Sequence, residues 1–85
     1  MNTTLAHAVE LAPIVERVHG ANHPELSRVR ELTLGIADHP DAARSASLWA
    51  ELRDVTDTYT LPADACEGFT GFYEALAAAD AQLVG

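Results

Sequence analysis

An all-α fold, a small four-helix bundle, is what this sequence predicts, and three observations predict it. Apolar residues recur at three- and four-residue spacing in four separate segments, the spacing that lines one face of a helix. No segment shows the alternation of a strand. Turn-forming residues around Gly20, Pro40 and Pro62 fall between the segments, where helices have to end. A single helical domain over residues 1–85 follows.

The first helix is predicted from about Thr4 to His19. Leu5, Ala8, Ala12, Val15 and His19 form its apolar stripe, with Leu11, Ile14 and Val18 widening it. Pro13 is a place for a kink, and Gly20 is a favoured residue just past a helix end. The second helix begins at Pro24, whose missing N–H does no harm in a first turn, and Glu25 suits the positive end of the helix dipole. Its stripe is Leu26, Val29, Leu32 or Thr33, and Ile36. Gly35 weakens its end, and Asp38-His39-Pro40-Asp41 marks the next break.

The third helix is predicted from about Asp41 to Tyr59, with Leu48, Leu52, Val55 and Tyr59 on its core stripe and Trp49 on the flank. Thr60-Leu61-Pro62-Ala63-Asp64 starts the fourth, where Ala65, Phe69, Phe72, Leu76 and Leu83 share one side. Cys66 falls beside that stripe, with no CxxC partner and no basic cluster, and reads as a small buried side chain. Gly68 and Gly71 lie one turn apart. They either let another backbone come close or are tolerated at about 1 kcal/mol each.

A chain of 85 residues has a marginal core, because a domain of this size buries only about 60% of the surface its unfolded chain exposes. Four apolar stripes in so short a chain predict a homo-oligomer, most simply a dimer, that covers what one copy leaves open. The formal charge is −8, with five scattered arginines and no lysine. Nucleic acid and anionic membranes need clustered basic residues, so both are excluded as partners. No run reaches the ~18 apolar residues of a membrane span. The first residues have neither a basic nor an apolar leader segment, and a lone cysteine cannot form an internal disulfide, so a cytoplasmic location is expected.

His19 is the most informative residue, because it ends the first helix on the apolar face. A core-facing imidazole needs a partner: a metal, a carboxylate or a backbone carbonyl. His7 lies about 120° away around the same helix and reads as solvated. His23 is placed to cap the second helix, or to approach His19 across the turn. His39 is a loop histidine between Asp38 and Asp41 and a further candidate ligand. No Ser/His/Asp order, glycine-rich phosphate loop or HExxH motif is present, so a non-enzymatic role is expected.

Val15-Glu16-Arg17-Val18-His19 with His23-Pro24-Glu25-Leu26, and then Leu52-Arg53-Asp54-Val55-Thr56-Asp57 through Tyr59-Thr60-Leu61-Pro62-Ala63-Asp64-Ala65-Cys66 to Phe72-Tyr73-Glu74-Ala75-Leu76, resemble the hemerythrin-like di-iron proteins of the RIC type. That resemblance implies a four-helix bundle with an oxo-bridged iron pair, and a role in repairing iron–sulfur centres after nitric oxide or oxidative stress. It implies that His19 is an iron ligand. The family's first ligand helix would begin before Met1, its HxxxE helix is missing between the two blocks, and its last ligand would follow Gly85. Its third ligand helix offers Ala42 in exact register and His39 only after a three-residue shift. The expectation is a shortened hemerythrin-like bundle holding iron or another metal through His19, with His39 or His23 and carboxylates, in a site shared between chains. The alternative is a metal-free helical module that docks a protein partner.

Overall fold

The computed structural model describes residues 3–39 and 41–84, and among them the chain is all-helical with no strand. Helix α1 spans Thr3–His19, α2 Glu25–Asp38, α3 Ala42–Val55 and α4 Glu67–Val84. Helix α1 packs against both α4 and α2, and α2 packs against α3. The core takes Leu5, Ala8, Ala12 and Val15 from α1 and Leu26, Val29, Leu32 and Ile36 from α2. From α3 and α4 come Trp49, Leu52, Phe69, Phe72, Tyr73 and Leu76.

The stripe on α2 is as expected, and Thr33 is buried alongside Leu32 because its hydroxyl donates to the Val29 carbonyl at 2.7 Å. That bond satisfies the hydroxyl within its own helix. The stripe on α1 is narrower than expected. Ile14 is 47% exposed and Val18 63% exposed, because they lie on the outward flank of a helix whose buried face centres on Ala8 and Ala12. Trp49, expected on the flank of α3, is buried at 3% exposure, whereas Leu48 and Val55 only edge the core. Ile14 and Val18 are thus the members of the α1 stripe that one chain leaves uncovered.

Asp41 starts α3 as its N-cap, its carboxylate accepting from the Ala43 N–H at 2.9 Å. The helix then ends at Val55, four residues before the expected Tyr59. Asp57, Thr58 and Tyr59 have φ of 52°, 55° and 62°, three successive left-handed residues without a glycine. Such a conformation costs roughly 1–2 kcal/mol per residue, so surrounding bonds must hold it. They do. The Thr58 N–H donates to the Arg53 carbonyl at 2.7 Å, the Tyr59 N–H to the Thr56 hydroxyl at 2.9 Å, and the Thr60 N–H to the Thr56 carbonyl at 3.0 Å. The turn brings the Tyr59 ring onto the core and its hydroxyl to Asp80 of α4, to which it donates at 2.8 Å. Arg53 grips the same carboxylate through Nε at 2.7 Å and Nη2 at 2.5 Å. These side chains clasp α3 to α4, two helices whose backbones do not pack closely among the described residues.

Helix α4 starts at Glu67 rather than near Asp64, so Cys66 caps it instead of lying within it. Neither Gly68 nor Gly71 meets another backbone: a Cβ at Gly71 would sit 3.9 Å from the Leu11 side chain, and one at Gly68 would meet only Cys66 Sγ at 3.8 Å. Pro40, the side chain of Leu83 and Met1-Asn2 lie outside the described residues.

Candidate functional site

Two histidines, one thiol and two carboxylates meet where the α1–α2 turn abuts the start of α4. The turn is tight because the Gly20 N–H donates to the Glu16 carbonyl at 2.7 Å and the His23 N–H to the His19 carbonyl at 2.9 Å. A Cβ on Gly20 would strike the Glu16 carbonyl oxygen, so glycine is required there by close approach and not by a left-handed φ. Both imidazoles then stand edge-on to Phe69, His19 at 5.2 Å and His23 at 5.5 Å between ring centroids. Phe69 is fully buried, so it fixes both rings from below.

His19 is only half-buried, and its partner is none of those expected. Its Nε2 lies 2.9 Å from Cys66 Sγ. The thiol is exposed and stands at the N-cap of α4, where the Phe69 N–H donates to Sγ at 3.5 Å. The Thr70 N–H meanwhile donates to the Cys66 carbonyl at 2.9 Å, closing the first turn. Cys66 is therefore not the small buried side chain that its place beside the stripe implied. Once α4 starts at Glu67, that residue becomes the cap, and a capping side chain faces the free N–H groups and the solvent.

His23 does not cap α2, since Pro24 occupies that position without a side-chain bond. Its side chain, 17% exposed, holds two carboxylates instead: Nε2 lies 2.9 Å from Asp64 Oδ1, and Nδ1 lies 3.2 Å from Glu25 Oε2. With an acceptor on each nitrogen, the ring satisfies both only as the imidazolium. The hydrogen bond that the ring donates to Asp64 accordingly raises the His23 pKa above its usual value, with Glu25 adding a smaller pull. The same bond lowers the Asp64 pKa.

Of the three candidate metal ligands, the structure brings His19 and His23 together and sends His39 away. His39 is the exposed C-cap of α2, donating its N–H to the Gly35 and Ile36 carbonyls, and 14 helical residues, about 21 Å, separate it from His23. His7 is exposed on α1, as its angular position implied. Among the described residues no group of three His, Cys, Asp or Glu is arranged to hold a metal ion. The residues present do not fit the iron pair that the resemblance implies. No protein-family model, curated protein or solved structure matches this chain, so the resemblance rests on the quoted blocks alone. No helix among the described residues is long and apolar enough to cross a membrane.

The arrangement suits covalent chemistry at sulfur. A thiol beside an imidazole of another element, with an N–H donated to its sulfur, is a layout in which the imidazole can serve as a base. The Asp64-Ala65-Cys66-Glu67 run carried the signal, because an acid in the first turn marks a helix start one residue after the thiol.

Proposed function

We propose that the protein is a small helical module that acts through Cys66, exchanging its thiol with disulfides to form a reversible mixed disulfide. One observation carries this reading: Cys66 is an exposed residue whose Sγ is held between His19 Nε2 and the Phe69 N–H. In the exchange His19 takes the thiol proton, and Cys66 sulfur attacks one sulfur of the incoming disulfide. The new S–S bond forms as the old one breaks, and the leaving thiolate takes the proton back from His19. Atoms and electrons balance without any other reagent. With one cysteine in the chain, the mixed disulfide persists until a second thiol releases it.

Iron held through His19 in a shared site would draw most of its donors from other chains, since no group of three metal-ligating side chains is found among the described residues. Docking of a protein partner is the second reading, supported by Ile14 and Val18, which stand one turn apart and exposed on α1. Mass spectrometry after reaction with a small neutral disulfide tests the thiol reading. Wild type is expected to gain one adduct at Cys66, and His19→Gln to react about tenfold more slowly or worse. An undiminished rate in His19→Gln removes the base from the scheme, and stoichiometric bound metal that is lost in His19→Gln replaces this reading with the iron one.

A further inference from the structure

We propose that the seam between the end of α3 and the second half of α4 binds a small neutral molecule carrying a carbonyl oxygen on a short apolar body. The seam forms an open, shallow groove of about 450 Å³, lined by Arg53, Thr58, Tyr59, Ala77, Asp80 and Ala81. That volume lies in the ~300–1,000 Å³ range of small-molecule sites. The groove lies about 20 Å along α4 from Cys66, so it is separate from the thiol site.

Its chemistry follows from which groups are already spent. Asp80 accepts from Arg53 Nε, Arg53 Nη2 and the Tyr59 hydroxyl, so it has little left for a cation. The N–H groups of Thr58, Tyr59 and Thr60 are all donated within the turn, so the left-handed run is not an anion nest. Arg53 is charge-paired, and the chain carries −8, which repels anions. What remains is Arg53 Nη1, with no partner among the described residues. With its charge already matched by Asp80, that N–H is left to donate to an uncharged acceptor. Ala77 and Ala81 line the same space with short side chains, and the left-handed turn brings Tyr59 into its lining.

Amide-resolved NMR titration of the whole chain with hexanamide, hexanoate and hexylamine separates the head groups at equal apolar length. Hexanamide is expected to move the Thr58, Ala77 and Ala81 signals saturably, at least three-fold more tightly than the other two, and to lose this effect in Ala81→Leu, which fills the groove from an exposed position. The proposal is overturned if hexanamide gives no saturable shift, if either charged probe binds as tightly, or if Ala81→Leu binds hexanamide undiminished. Should Ala81→Leu fail to fold, the ranking of the three probes on wild type decides alone.

Discussion

The two ends of α4 make the same kind of bond and use it for opposite purposes. At the C-terminal end, Asp80 is 8% exposed and is held by Arg53 and the Tyr59 hydroxyl, so the ionic bond clasps α3 to α4. At the N-terminal end, the groups are histidines, carboxylates and a thiol, and Cys66, which carries the thiol, is exposed. Residue choice decides the difference. The arginine raises its own pKa and lowers that of Asp80 by their hydrogen bond, and burial drives the Tyr59 hydroxyl far up, so the clasp does not titrate near neutrality. Histidine does titrate there. One end is a fixed strut, and the other answers to its surroundings.

Three changes break or sharpen that contrast, and the largest acts on the floor of the thiol corner. Phe69→Ala removes a fully buried ring and the support of both imidazoles, so denaturant unfolding should show a loss of about 3–5 kcal/mol. A loss under 1 kcal/mol would mean that the corner is not built on Phe69. Asp80→Ala strips the clasp and leaves Arg53 without its partner; because Arg53 is 41% exposed, the loss is discounted to about 2 kcal/mol. The loss should be the same at pH 6 and pH 8. A loss that changed between those values would erase the distinction between the two ends.

The smallest effect is a pH dependence confined to the thiol corner. His23 has a raised pKa when folded, so its contribution is complete below the unfolded value near 6.5 and disappears as pH rises through the folded value above it. The Asp80 contribution runs the other way. It is present above the unfolded carboxylate value and disappears only in acid, as pH falls through the lowered folded pKa. Stability measured between pH 6 and pH 8 should therefore fall in wild type and fall less in Asp64→Asn. Equal slopes would show that the His23–Asp64 bond is not the group responsible.

Much of the fold was legible because four stripes obey helical periodicity, and Leu26, Val29, Ile36, Phe69, Phe72 and Leu76 are buried where that periodicity put them. Apart from Ile14 inside α1 and the exchange of Leu48 for Trp49 inside α3, the errors gather at helix ends, where local rules compete with tertiary bonds. A glycine rule expects left-handed residues at glycine, yet Asp57, Thr58 and Tyr59 take that conformation because Thr56, Arg53 and Asp80 hold them. Sequence spacing carries no trace of those partners. The corner was half legible. His19 faced the right way on its helix, but its neighbour came from a residue 47 positions later, and placing the start of α4 too early hid that neighbour as core. Arg53 and Asp80, 27 residues apart, had no local signal at all.

The proposed exchange requires that folding make Cys66 a better nucleophile by seating it between His19 and the first turn of α4. The most direct measurement compares the second-order rate of Cys66 with a small neutral disulfide in the folded protein and in the urea-unfolded chain at the same pH, corrected for the effect of urea on a free thiol. The folded protein should react at least about tenfold faster, since the unfolded thiol has neither the base nor the N–H. Equal or slower reaction on folding would contradict the account, reducing Cys66 to a helix cap that happens to touch a histidine.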